Sequence, residues 1–232
     1  MKNKTAIIIG ITGQDGSYLA EFLIKKKYFV YGITNRIKKV DYFKKYKKNL
    51  KISKISINNF KSISTLIKKI SPDEIYHLGS QSYINHDFDS EFFKLNPNIN
   101  GTNFLLAAIK KFSPKTKFYF AGTSEIFGNV KEEPQNESTQ FNPRSAYGIS
   151  KLAGYHLTKN YREAYGIFAC SGILYNHESP RRGSYFVTKK IVESAARIKK
   201  GLDKKIYLGN IEAKRDWGYA KDYIKYMWKC LQ

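Results

Sequence analysis

The chain has 232 residues, 42% of them hydrophobic, with 41 Lys and Arg against 19 Asp and Glu, a formal net charge of +22. That length suits one compact domain or one and a half, and no uninterrupted apolar run is long enough to cross a bilayer. The lysines are scattered in short clusters on expected helix surfaces with no nucleic-acid-binding motif beside them. The charge therefore reads as compositional drift that also favours anionic ligands, with no nucleic-acid partner and no membrane. The start, "MKNKTAIIIGITG", has the outline of a leader, but Gly10, Gly13 and Asp15 interrupt it and no cleavage site follows. The expectation is a soluble cytoplasmic protein. Cys170 and Cys230 match no metal spacing, so reduced thiols and no metal are expected.

Strand and helix patterns alternate from the first residues. "TAIIIGI" (5–11) reads as a buried strand, followed by a glycine turn and a helix over 17–27. "YFVYGIT" (28–34) is the second strand. Residues 40–51 form a basic connection of ambiguous type, and "KISKISI" (51–57) a third strand. A helix over 60–70 stops at Pro72, and "DEIYHLGS" (73–80) is the fourth strand. A helix over 96–112 leads to the fifth strand, 116–124, and a long helix over 145–166 ends on Gly166. A strand over 167–176, a helix over 184–201, a short strand over 205–210 and a last helix over 215–231 complete the pattern. Such alternation predicts an α/β fold, a doubly wound and mostly parallel sheet of Rossmann type, with helices on both faces. Residues 1–232 read as one dinucleotide-binding domain that includes part of a substrate-binding region from about residue 176.

"GITGQDG" places Gly10, Gly13 and Gly16 directly after the first strand and at the opening of a helix. Glycines let the backbone turn tightly and approach a pyrophosphate, and a helix N-terminus favours its charge. A carboxylate at the end of the second strand would hold an NAD ribose. Here the stretch is "GITNRIKK", with Arg36 and Lys38 and no acid before Asp41, which suits a 2′-phosphate and NADP.

"YGISK" puts Tyr147 and Lys151 one helical turn apart on the same face. An ammonium beside a phenol lowers the phenol pKa, and such a tyrosine exchanges a proton with a substrate hydroxyl while hydride moves. Upstream, "FYFAGTSEIFGN" sets Thr123, Ser124 and Glu125 at a strand end beside apolar residues. A carboxylate there is costly unless it is used. Alternation along an extended strand end turns Thr123 and Glu125 to one side and Ser124 away.

The order of these motifs resembles the extended short-chain dehydrogenase/reductase superfamily and, more narrowly, the GDP-mannose 4,6-dehydratase family. The stretches that carry the resemblance are "GITGQDGSYLAEFL", "PDEIYHLGSQS", "TSEIFG", "NYREAYGIFACSGILYNHESPRRG", "FVTKKI" and "RDWGYAKDY". It implies catalytic roles for Thr123, Glu125, Tyr147 and Lys151. It implies NADP contacts at Gly10, Gly13, Gln14, Asp15, Gly16, Arg36, Leu78, Gly79, Ser80, Gln81, Ser82, Tyr147, Lys151, His177 and Arg182. GDP-mannose contacts are implied at Ser82, Asn176, Lys190 and Arg215. The implied reaction oxidises carbon 4 of GDP-mannose, removes water across carbons 5 and 6, and returns hydride to carbon 6, giving GDP-4-dehydro-6-deoxy-D-mannose on the way to GDP-fucose. A homo-oligomer is implied as well.

The chain departs from the family pattern at Ser56, where an Asp meets the adenine, at Phe93, where a Tyr is usual, and in keeping only Arg36 of two adjacent arginines. The stretch between Arg36 and Lys51 is shorter than in relatives, and the family's C-terminal substrate lobe is expected to be largely absent from these 232 residues. Two other readings stay open: a related sugar-nucleotide epimerase or reductase, against which Glu125 argues, and a non-catalytic NADP-binding remnant. Without the family, His77 and His156 read as structural, His177 as a core histidine, and Arg181 with Arg182 as a solvated pair.

Overall fold

The computed structural model of the chain describes residues 3–35, 41–80 and 88–232, without the side chains of 41, 42 and 88–94. Its first strand, β1 (Thr5–Ile9), is a β-branched run that suits a pleated, doubly buried position. The helix α1 (Gln14–Lys25) follows, then β2 (Phe29–Thr34), β3 (Leu50–Lys54), α2 (Phe60–Ile70) and β4 (Glu74–His77). Next come α3 (Phe88–Phe112), β5 (Lys117–Ala121), α4 (Ala146–Tyr165) and β6 (Ala169–Gly172). The chain goes on through β7 (Asn176–Glu178), α5 (Val187–Lys199), β8 (Trp217–Tyr219) and α6 (Ala220–Lys229).

Six strands form one parallel sheet in the order β3-β2-β1-β4-β5-β6. The expected doubly wound α/β sheet is thus the one observed. Successive side chains of a strand point to opposite faces. Accordingly Ala6 and Ile8 join Leu19, Leu23, Ile224 and Met227 in one core, under α1 and α6. Ile7 and Ile9 join Ile63, Leu105, Ile109 and Phe118 in the other, under α2, α3 and α4. The order reverses between β1 and β4, and there the carboxyl ends of two neighbouring strands part company and leave a crevice.

Several elements differ from the sequence pattern. The basic connection is a 3-10 turn at Asp41–Tyr46, and β3 covers Leu50–Lys54, so Ser56 lies beyond its end. β5 stops at Ala121, before Thr123, whose hydroxyl caps a 3-10 turn at Ser124–Ile126. The expected strand over 167–176 is divided, because its far end leaves the sheet and pairs as β7 with β8. Residues 205–210 form no strand: Tyr207 is 69% exposed, and an alternating apolar pattern without a ladder partner does not hold a strand. The last helix begins only at Ala220, since Trp217–Tyr219 are spent on β8. α3 runs through Pro97 instead of starting beside it.

At the opposite end of the sheet from the crevice, Glu74 is 1% exposed. Tyr28 and Tyr76 donate their hydroxyls to its two oxygens at 2.8 and 2.7 Å. Trp228 Nε1 donates to Tyr28 Oη at 3.2 Å, which ties α6 into the same cluster. A buried carboxylate satisfied by several donors holds only while the donors remain paired with it. Glu74→Ala strands two buried phenols and is expected to cost about 3 kcal/mol. Urea denaturation reads this directly, and a loss below about 0.5 kcal/mol would show the cluster to be incidental.

Candidate functional site

The crevice is built first by glycines. Gly10 has φ +83°, and a Cβ there would sit 2.8 Å from the Gly79 Cα, so the ends of β1 and β4 touch through bare backbone. A Cβ at Gly16 would lie 2.7 Å from the Ile11 Cα and closer still to the Gly10 carbonyl oxygen. Gly13 is the N-cap of α1 and supplies no side-chain cap. The first amides of α1 therefore face the crevice uncapped, a cradle of the size and polarity that a pyrophosphate takes.

Polar side chains close one side of this cradle. Asp15 Oδ2 lies 2.8 Å from His177 Nε2, and His177 Nδ1 lies 2.7 Å from the Tyr175 carbonyl. Gln14 Nε2 donates to Asp15 and to the His177 carbonyl, both at 3.0 Å, and Ser179 Oγ donates to Gln14 Oε1 at 2.8 Å. Tyr223 of α6 stacks on the imidazole with centroids 4.5 Å apart. Burial alone would push the Asp15 carboxyl up, but hydrogen bonding and charge from His177 and the bond from Gln14 hold it below its ordinary value. Burial likewise disfavours the imidazolium, yet the Asp15 bond and charge outweigh it and raise His177. Arg181 is no solvated residue: it donates to Ser17 Oγ at 3.0 Å and pairs with Glu21 at 2.7 Å. Arg182 Nε stands 3.3 Å from Glu178 without the alignment of a hydrogen bond, and its guanidinium lies 3.5 Å from the Phe186 ring centroid.

The second group lies beyond β4 and β5. The hydroxyl side chains of Ser80 and Thr123 face the Tyr147 phenol closely enough to favour its ionised form. Thr123 Oγ1 also accepts from the Glu125 amide at 3.3 Å. Glu125 is exposed, so its carboxylate is not a buried charge beside the core. The 3-10 turn, and not strand alternation, brings it round to where its charge acts on Tyr147. Lys151 is 2% exposed and donates Nζ to the Ala121 carbonyl at 2.7 Å, with Nζ 5.9 Å from the Tyr147 ring centroid. Burial draws the Lys151 ammonium down to about 8, opposed in part by Asp15. Tyr147 differs from expectation: burial raises its pKa, and the hydroxyls of Ser80 and Thr123 only partly oppose this.

Gly10, Gly13, Gln14, Asp15, Gly16, Leu78, Gly79, Ser80, Thr123, Glu125, Tyr147, Lys151, His177 and Arg182 thus gather around the carboxyl ends of β1, β4 and β5. Asn176 opens β7 opposite Trp217, two residues after exposed Arg215, which places the two at one end of the small sheet. Lys190 is exposed on α5. Arg36, Lys38, Gln81 and Ser82 lie outside the described residues, as does the side chain of Phe93. Spacing gave no sign of Ser17, Glu21 and Ser179 as partners in the clasp, since their roles depend on contacts with residues about 160 positions away.

Residues 7–232 match the family described as GDP-mannose 4,6 dehydratase. The chain is 47% identical over 243 residues to the GDP-mannose 4,6-dehydratase of Vibrio cholerae serotype O1, covering 100% of this chain and 65% of that protein. It is 46% identical over 239 residues to the GDP-mannose 4,6 dehydratase of Homo sapiens, covering 98% and 64%. Among solved structures, the Bordetella bronchiseptica enzyme WbmH in complex with NAD+ is similar with a TM-score of 0.79 and 26% identity, covering 99% of this chain and 72% of that one. The chain spans just under two thirds of the length of the two relatives.

The clasp between Asp15 and His177 gives stability a pH dependence. The raised His177 contributes fully below its ordinary value of 6.5, and its share is lost as pH rises through the raised value. The lowered Asp15 contributes fully above 3.8, and its share is lost as pH falls through the lowered value. The melting-temperature gap between the wild type and His177→Gln should therefore be widest between pH 3.8 and 6.5 and narrow on the alkaline side. A gap that stays constant from acid to alkaline pH would mean that the ion pair carries none of it.

Proposed function

The chain belongs to the GDP-mannose 4,6-dehydratase family, and from that premise we propose that it dehydrates GDP-D-mannose to GDP-4-dehydro-6-deoxy-D-mannose. The observation that carries this reading is the Tyr147 phenol set beside the Thr123 and Ser80 hydroxyls, with Glu125 acting on it from the adjoining turn. A plain oxidoreductase needs only the tyrosine and the lysine, whereas a dehydratase also needs an acid–base group for the neighbouring carbon.

The glycine cradle fits a dinucleotide, because a side chain at Gly10 or Gly16 would fill it and the α1 amides face it uncapped. Gly10, Gly13 and Gly16 would take the pyrophosphate, Leu78 to Ser80 would lie along the cofactor, and Lys151 would take the ribose. Arg36, with no acid between β2 and Asp41, favours the 2′-phosphate of NADP over NAD. When bound, the nicotinamide supplies a reversible hydride acceptor. Tyr147 in its phenolate form receives the proton of the 4-hydroxyl, and Thr123 hydrogen-bonds the same oxygen. The resulting ketone acidifies the hydrogen on carbon 5. Glu125 removes that proton and, as an acid, helps the 6-hydroxyl leave as water; its exposure lets it exchange protons with solvent. Tyr147 then gives its proton to carbon 5 as the hydride comes back to carbon 6, so overall the sugar loses one water. Ser82, Asn176, Lys190 and Arg215 are proposed to contact GDP-mannose.

The reading extends to the cytoplasm and to nucleotide-sugar metabolism leading toward GDP-fucose. Free Cys170 and Cys230 accord with a reducing compartment. Among the described residues no helix is long and apolar enough to cross a membrane. A homo-oligomer is part of the proposal.

Incubation of the chain with GDP-mannose and NADP⁺ is expected to yield a 4-keto-6-deoxy sugar nucleotide detectable by NMR. Glu125→Gln should still oxidise carbon 4 but lower product formation by about 100-fold or more. Product formed by that variant at the wild-type rate would remove Glu125 from the mechanism. Binding of NADP⁺ with no turnover in the wild type would favour the non-catalytic reading.

A further inference from the structure

His77 closes β4 at 2% exposure, and its Nε2 lies 3.2 Å from Thr102 Oγ1 on α3. Thr102 Oγ1 is itself 2.9 Å from the Asn98 carbonyl. A hydroxyl has one proton and a carbonyl only accepts, so that proton goes to Asn98 and Oγ1 must accept from His77. The imidazole therefore carries a proton on Nε2. Its Nδ1 is buried without a partner among the described residues. Burial and the Lys151 ammonium, which keep the ring uncharged down to about 3, agree with this.

The same logic applies one step further along. Ser150 Oγ, 1% exposed, is 2.8 Å from the Tyr147 carbonyl and 3.1 Å from Asn98 Nδ2. Its proton goes to the carbonyl, so Oγ accepts from the amide. Two hydroxyls thus act as one-way links: one ends on the Asn98 backbone carbonyl and the other begins at the Asn98 side-chain amide, so the frame of Asn98 joins β4 to the first turn of α4. We propose that His77, Thr102, Asn98 and Ser150 form two hydrogen-bonded links, joined at Asn98, that position Tyr147 for reaction. This rests on the reading of Tyr147 and Lys151 as the reacting pair. None of the four is a catalytic residue: the links fix the turn of α4 that carries Tyr147, whose hydroxyl must meet Ser80 and Thr123. A small rotation of that turn carries the phenol away from them, and misplacement by about 1 Å costs up to about 100-fold in rate.

The test uses the full chain with 13Cζ-labelled tyrosine, the Tyr147 signal being assigned by its loss in Tyr147→Phe. Thr102→Val removes the link with almost no change of shape, Ser150→Ala removes one atom, and Thr102→Ser keeps the hydroxyl. The first two should move the Tyr147 titration further above the ordinary value of about 10 and lower kcat about tenfold with KM within about twofold. Thr102→Ser should leave both at the wild-type values. An unmoved Tyr147 titration in both Ser150→Ala and Thr102→Val overturns the proposal, even if melting temperatures fall. So does a His77 with its proton on Nδ1 at neutral pH by 15N NMR. If the wild type makes no product from GDP-mannose, the reaction reading falls, while the two NMR measurements still decide the linkage. If Thr102→Val fails to fold, Ser150→Ala decides it.

Discussion

The contact between Gly10 and Gly79 is the constraint from which the site follows. Parallel strands with helices on both faces part at one point, and there the two loops must pass without side chains. Because Gly10 adopts φ +83° against bare backbone, β1 turns at once into α1, and the helix presents its first amides to the crevice. Everything that faces a ligand is placed relative to that turn: the Asp15–His177 clasp on one flank, the end of β4 with Ser80 on the other, and Thr123 one strand further along.

The site then divides by electrostatics. On the cradle side, ion pairs fix Asp15, His177 and Arg181 and leave the α1 amides as the positive element. On the reacting side, burial dominates: it raises Tyr147, lowers Lys151 to about 8 and keeps His77 neutral. A low-dielectric pocket with hydroxyls already placed around the phenol favours proton transfer once a substrate oxygen replaces one of them. Only Glu125 stays in water, which suits a group that must pick up a proton and release it.

Local motifs were legible in the sequence because their physics is local. Gly10, Gly13 and Gly16 follow from the needs of one turn, and Tyr147 and Lys151 from one helical turn. The Thr123 and Glu125 residue types were legible too, but their arrangement was not, since a 3-10 turn replaces the expected strand end. Nothing in a one-dimensional pattern marks the Ala121 carbonyl as the acceptor for Lys151, because every residue has a carbonyl. His77 read as structural for the same reason: its partner Thr102 lies 25 positions away on α3, and Asn98 and Ser150 meet only through the packing of α3 on α4. The failure at 205–210 is of another kind, since strand propensity was present and a pairing edge was not.

The central claim is that one crevice holds the cofactor pyrophosphate on the α1 amides and the reacting sugar hydroxyl on Tyr147 and Thr123. A crystal structure of the chain with NADP⁺ and GDP-mannose measures this most directly. The account predicts pyrophosphate oxygens within hydrogen-bond distance of the amides of residues 14–16, and the mannose 4-oxygen within about 3 Å of both hydroxyls. A sugar seated away from Tyr147, or a pyrophosphate away from Gly13, would contradict it.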